Sequence, residues 1–436
     1  MINKKDLFRY CLLLITIAVS FLMVLISENP TIHVLGFWLS VGAGVLITKL
    51  DLTHPLFWFS SSFGLYSTGY SLIYILGYPA NSGYSKENTL LALVALSVVV
   101  LVVGVKKYDS YNFFESRNYN LMSRNGNKQI TEFILIVLLL VLLISVAILF
   151  RTPFNHKNEM LAGRNIFFVL GAYSARFLTL YISFYLLLFI DKDRRKTKFF
   201  MIFSGFAVIL FSLFTGERDA MFRFLIVIIV SLFTAKKISK RMLMILVPIG
   251  MFALIVGRYF KYYFVSGITN TSIKSQSFIY NFLTSDFHAA GENLQILINN
   301  TWTESYHGFS LILIDLISPF IPGGYFENVG TWFNDTFYPG SYSRAFTLLG
   351  EGYVIGGTLG IIALFIILGV GIKILYKNST KNIYWLVLYI YSIPTIITSF
   401  RSTLGTITIA IIRIALLSIA IHYIARVLIR GRIKSN

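Results

Sequence analysis

The chain reads as an all-α, polytopic integral membrane protein of about twelve transmembrane helices, with one large loop on its outer side. Three observations lead there. Of its 436 residues 56% are hydrophobic, and the mean hydropathy of +0.72 is too high for a soluble chain of this length. The apolar residues gather in runs that match a bilayer core, which about 20 residues of helix cross. Between the runs sit short basic clusters that alternate from side to side. The formal charge of +19 is therefore a membrane-topology signal, and no nucleic-acid partner is needed.

The runs fall at residues 7–27, 32–48, 54–77, 89–105, 131–150, 166–190, 199–215, 220–235, 242–264, 350–372, 383–400 and 405–425. Lys4, Lys5 and Arg9 precede the first, which reaches Ser27 without a small-residue cleavage site, so an uncleaved signal-anchor is expected. That run holds Cys11, the only cysteine, which excludes an intrachain disulfide and a cysteine-based zinc site. With the N-terminus inside, the basic connections 106–128, 191–198, 236–241 and 373–381 are cytoplasmic, as is the tail bearing Arg426, Arg430, Arg432 and Lys434. Connections 28–31, 78–88, 151–165, 216–219 and 401–404 are outer. Both termini are then cytoplasmic, and residues 1–436 form a single transmembrane domain.

The connection between the ninth and tenth spans, 265–349, is far longer than the rest. Loops of that size are uncommon unless they have work to do. It carries an apolar stretch, Phe309 to Ile321, broken by Pro319 and Pro322. Too short to cross, that stretch is expected to lie in the interface or to re-enter. Around it stand aromatic residues, Trp302, Tyr306, Trp332 and Tyr338 among them, and the titratable Asp286, His288, Glu292, Asp315 and Glu327.

Basic residues are unevenly chosen across the two sides. The cytoplasmic side holds 16 Lys and 9 Arg, whereas the outer side and the membrane interior hold 9 Arg and only 4 Lys. Orientation is indifferent to which basic residue is used. A planar fork of five donors that never deprotonates suits phosphate and carboxylate oxygens, so this bias points to an anionic substrate handled from outside.

Individual arginines then divide by depth. Arg218 stands at the tight turn Gly216-Glu-Arg-Asp219, where Asp219 and Arg223 lie one helical turn apart and are expected to neutralise each other. Arg176 and Arg413 lie about 15 Å and about 12 Å of helix rise into their spans. Each either binds substrate or ties helices together. Arg258 and Arg401, near the outer ends of their spans, line an outward cavity or snorkel to the interface. Arg344 precedes Glu351 at the start of the tenth span, in which Gly352, Gly356 and Gly360 recur every fourth residue. Such a stripe lets another helix pack closely. His288 and Glu292 are four apart but have no third convergent ligand, so a metal site is not expected. As a general base near a hydroxyl, Asp286 or His288 serves better, ahead of Glu351.

The order of these features resembles the O-antigen polymerases, the Wzy-type oligosaccharide repeat-unit polymerases. Locally the resemblance rests on Gly216-Glu-Arg-Asp219, on Ser343-Arg-Ala-Phe-Thr-Leu-Leu-Gly-Glu-Gly-Tyr353 and on Phe400-Arg-Ser402. It implies a GT-C-like glycosyltransferase of the bacterial inner membrane. Such an enzyme moves a growing glycan from undecaprenyl pyrophosphate to the next lipid-linked repeat unit at the periplasmic face, in lipopolysaccharide biosynthesis. Under that reading Arg218, Arg344, Arg401, Arg258 and Arg176 hold the pyrophosphate, and Asp286, His288 or Glu351 takes the acceptor proton. No cofactor, metal or nucleotide sugar is expected. A chain-length regulator and a flippase are the implied protein partners.

Three other classes compete. An O-antigen ligase uses the same carrier but a different acceptor. A lipid-linked oligosaccharide flippase predicts two similar halves and no large outer loop. A solute transporter predicts spans broken by Gly or Pro at matching places in two halves. Neither the matching halves nor the matching breaks are visible in the sequence.

Overall fold

The structure, a computed structural model, describes residues 4–78, 83–107, 125–151, 165–239, 241–242, 287–300, 308–321, 329–339 and 346–434. Among them every regular element is helical. Helices α1 (Lys4–Ile26), α2 (Pro30–Ile47), α3 (Pro55–Ile75) and α4 (Lys86–Val103) come first. They are followed by α5 (Asn125–Arg151), α6 (Ile166–Phe189), α7 (Arg194–Thr215) and α8 (Arg218–Thr234). The long connection, 265–349, contributes α9 (Phe287–Asn299), α10 (Ser310–Ile317) running into a 3-10 turn at Ser318–Phe320, and α11 (Val329–Phe337). Last come α12 (Leu348–Asn378), α13 (Ile383–Ser399), α14 (Leu404–Thr408) and α15 (Ile414–Lys434), the last two joined through a π-turn at Ile409–Arg413.

Among the described residues eight helices are long and apolar enough to cross a membrane, and the chain is a polytopic membrane protein. They are α1, α2, α4, α5, α6, α7, α12 and the continuous helix from Leu404 to Leu428. Helices α3, α8 and α13 fall on three further expected spans without reaching that standard of length and composition. The ninth expected span, 242–264, lies outside the described residues.

Local chemistry sets the helix starts. Asn29 accepts from the Thr31 amide ahead of α2, and Ser85 accepts from the Glu87 amide ahead of α4. His54 Nδ1 takes the Leu56 amide at α3, and Pro30 and Pro55 fill first-turn positions where an N–H would have no helical partner. Gly216 closes α7 in the left-handed region at φ 70°, which turns the chain directly into α8.

The chain divides into two compact units. One comprises residues 1–108, 275–377 and 396–410; the other comprises 109–274, 378–395 and 411–436. Within each, the helix ends that the charge pattern assigns to one side also meet in space. In the first unit the outer ends are tied by Lys86–Glu28 at 2.5 Å, by His33 Nδ1 against Tyr84 Oη at 2.8 Å, and by the Leu348 amide on the Phe400 carbonyl at 3.1 Å. Its inner ends are tied by Lys107–Asp51 at 2.8 Å and by Lys373 Nζ donating to the Val102 carbonyl at 2.7 Å. In the second unit the inner ends carry Lys128–Asp193 at 2.8 Å, Lys196–Glu132 at 3.7 Å and Lys237–Asp191. Its outer ends meet at Phe150 and Phe214, whose rings are 5.1 Å apart.

This pairing of ends supports the alternation, and labelling checks its sense. With Cys11 replaced by serine, single cysteines at Ser310 and Thr336 are expected to react with an impermeant maleimide added outside intact cells. Reaction only after the cytoplasm is opened would reverse the orientation and sink every outer-side assignment.

The glycine stripe of the tenth span does something other than expected. Gly356 and Gly357 leave the helical conformation, Gly357 with φ 59° and ψ −138°, so α12 is two helices joined by a sharp break. Gly352 and Gly360 are brought together across it. A Cβ on Gly352 would lie 2.7 Å from Ile361 Cα, and one on Gly360 would collide with the Gly352 carbonyl oxygen. The small residues thus let the short first half of α12 fold back on the start of its own second half, where packing against a separate helix was expected.

Candidate functional site

One end of the first unit is organised by α9 lying against α3. Glycine on each side permits it: a Cβ on Gly69 would meet the Phe287 carbonyl carbon at 2.8 Å, and one on Gly291 would meet Tyr70 Cβ at 2.7 Å. Polar contacts fix the register. Asn88 Nδ2 donates to the Gly291 carbonyl at 2.9 Å, and the Ser85 amide donates to Gln295 Oε1 at 3.1 Å. Tyr70 Oη donates to the Gly83 carbonyl at 2.5 Å.

Held this way, α9 presents His288 with its ring 5.2 Å from that of Tyr70. Its Nδ1 lies 3.4 Å from Glu292 Oε2, one helical turn on, with side chains 16% and 5% exposed. The separation is longer than a good hydrogen bond. A carboxylate on one ring nitrogen fixes the tautomer and leaves the other as a proton acceptor. Among the described residues no group of three or more His, Cys, Asp or Glu side chains converges. The i,i+4 spacing places the Glu292 carboxylate beside the His288 ring.

A crevice with room for about one water is lined by Tyr66, Ser67, Gly291, Thr347, Leu349 and Phe400. Phe400 stacks edge-on to Phe59 and Phe63 at 5.2 and 5.3 Å and reaches Tyr66 at 5.8 Å, an aromatic wall that continues through Phe287. The residue after Phe400 is Arg401, half-buried in the turn between α13 and α14. His288, Arg401 and Glu351 thus belong to segments that the first unit brings to one end.

Glu351 occupies the interior of that end. It is 0% exposed, and its Oε2 accepts the Leu404 amide at 2.7 Å, capping α14 from another part of the chain. Its remaining neighbour is the Asp315 carboxyl of α10, within hydrogen-bonding reach. So placed, Glu351 supports the turn that carries Arg401, and His288 is the more accessible of the two.

The other expected residues distribute elsewhere. In the second unit Arg218 is half-buried in the first turn of α8, and Arg176 sits 5.7 Å from the ring centroid of Tyr173, a cation–π contact within α6. Arg223 is 6% exposed with Nε and Nη1 lacking hydrogen-bond partners, so the expected neutralisation by Asp219 does not engage those atoms. Arg413 is half-buried in the π-turn. Asp286, Arg258 and Arg344 lie outside the described residues.

Two groups were under-read in the sequence, Glu292 as the partner of His288 and Asp315 as the partner of Glu351. Both carried a signal: an acid one turn from a histidine, and an acid inside an apolar run. No protein-family model, curated protein or solved structure matches this chain.

Proposed function

We propose that this protein is a membrane glycosyltransferase that polymerises undecaprenyl-pyrophosphate-linked oligosaccharide repeat units into a surface polysaccharide at the outer face of the bacterial inner membrane. The observation that carries the reading is the meeting, at one end of the first unit, of a histidine one helical turn from a carboxylate, a cluster of packed aromatic rings and the arginine-bearing turn at 401. Polymerisation asks for those parts. His288 takes the proton from the acceptor sugar hydroxyl as its oxygen attacks the anomeric carbon. Arg401, with Arg344 in the preceding segment, meets the negative charge that grows on the pyrophosphate as the glycosidic bond breaks. Aromatic residues of the long loop, Trp332 and Tyr338 among them, supply flat faces for sugars. The glycan is transferred, undecaprenyl pyrophosphate leaves, and the proton passes to solvent, with no metal, nucleotide or redox partner required by this sequence of steps.

Deleting the gene tests the proposal. A strain lacking a polymerase makes lipopolysaccharide capped by a single repeat unit, and the ladder returns on complementation. A strain lacking a ligase makes none of the capped form, which would replace this reading by its closest alternative.

One observation favours a second reading, translocation of the lipid-linked unit. Helix α12 is broken at Gly356–Gly357, and interrupted helices beside a polar site are how many transporters form theirs. Purified protein in vesicles separates the two. Polymer made from repeat units added on one side alone supports the transferase; passage of unpolymerised units across the bilayer supports the transporter.

A further inference from the structure

Asp315 and Glu351 face each other. Among the described residues the groups acting on them are each other and the N–H groups at the start of α14, Leu404 for Glu351 and Gly405 for Asp315. Glu351 Oε1 and Asp315 Oδ2 are buried with no hydrogen-bond partner that a fully ionised pair would allow. Asp315 is the only charged residue of α10, Glu351 is the only one in the first half of α12, and Leu404–Thr408 has none. Arg401, the basic residue closest along the turn, acts on neither carboxyl. Two carboxylates in contact inside a protein cannot both stay ionised, because the repulsion of like charges adds to the loss of hydration.

The surroundings show what depends on the pair. Asp315 is locked at its backbone, its carbonyl accepting from Thr408 Oγ1 at 2.6 Å and from Ser318 Oγ at 2.7 Å. A Cβ on Gly405 would collide with Asp315 Oδ1, so only glycine lets the carboxyl sit over the helix start. Three segments therefore converge on the two carboxyls: the outer-loop helix α10, the folded-back half of α12, and the turn leading from Phe400 and Arg401 into α14.

We propose that Asp315 and Glu351 form a proton-binding site, one proton held between the two carboxyl groups, which latches α10 onto the turn that carries Arg401. With the proton bound, one carboxyl donates to the other and the three segments are joined. On its loss, two anions face each other and α10 is pushed from the turn. Acidity on the outer side then sets how firmly this part of the loop is closed over the arginine-bearing end.

The sign of the pH dependence follows. Burial raises the Asp315 carboxyl above its ordinary value. A folded-state affinity for the proton higher than the unfolded one gives stability that is complete below the ordinary carboxylate range and lost as pH rises through the raised value. Full-length protein in nanodiscs is expected to show a melting temperature that falls by a few degrees across that rise. Glu351→Gln and Asp315→Asn replace the shared proton with an amide N–H and are each expected to hold the melting temperature level over the same range. The infrared C=O stretch of a buried protonated carboxyl, present in the wild type and disappearing with that rise, is expected to be missing in both variants. Wild type and variants melting in parallel would overturn the proposal. So would recovery of wild-type stability at high pH by sodium but not choline, since a metal cation would then occupy the site. Should both variants fail to fold, the wild-type spectrum decides alone: a carboxyl band that titrates above the ordinary carboxylate range upholds the site, and its absence ends it.

Discussion

Replacing His288 with alanine is expected to abolish polymer formation while leaving the protein folded and able to bind its lipid-linked unit. Proton removal by a positioned base contributes about 10²–10⁴-fold to a rate, so the ladder should collapse toward the single repeat unit. The side chain packs over Tyr70 of α3, so its loss removes one ring contact, while the close approach of α9 to α3 at Gly69 and Gly291 remains. Glu292→Gln should give a smaller loss, because the amide still orients the ring but no longer stabilises the imidazolium that forms after proton transfer. The measurement is single-turnover transfer by purified protein with a synthetic lipid-linked repeat unit, alongside binding of the same unit. Wild-type transfer from His288→Ala would reject His288 as the base. Asp286, two residues earlier in the chain, would then take its place.

The membrane architecture was legible because hydropathy and charge act over whole segments. Eleven of the twelve expected runs coincide with helices, and the loops grouped by charge are the ones that touch. A run of apolar side chains has no other stable disposition in lipid, where backbone groups must be satisfied within the segment. Site detail was less legible, for physical reasons that differ from residue to residue. His288 and Glu292 were visible as a pair one helical turn apart, but spacing alone does not separate a metal ligand set from a histidine held by an acid. Asp315 and Glu351 are far apart in sequence, and only the tertiary fold sets them face to face. The warning was local: an acid within Phe309–Ile321 must be paired or protonated if that run is buried. The break in α12 was hidden more completely. A repeat of glycine at every fourth position describes both a straight helix packed on a neighbour and a helix folded back on itself, and nothing in the pattern distinguishes them.

That ambiguity makes the glycines of α12 the place where a single methyl group should have its largest structural effect. Gly360→Ala is expected to destabilise the protein strongly, because its Cβ would press on the Gly352 carbonyl oxygen, a backbone atom that cannot rotate away. Overpacking a tight contact costs about 1–3 kcal/mol where side chains can adjust, and the cost here belongs at or above the upper end. Relief would require the two halves of α12 to separate, carrying Glu351 away from the Leu404 amide and opening the turn that holds Arg401. Gly371→Ala, in the second half of the same helix, is the internal control. Its Cβ would meet nothing within 4 Å, and in a helix the exchange should be neutral or stabilise by about 0.4–1 kcal/mol. Gly357→Ala tests the break from the other direction, since φ 59° is a conformation that a side chain resists. Comparing the three by melting temperature and by recovery of a monodisperse peak in size-exclusion chromatography separates the two descriptions of this helix. If Gly360→Ala and Gly371→Ala behaved alike, α12 would be an unbroken span. Glu351 could not then cap α14 as described, and the proton latch would fail together with the fold-back on which it depends.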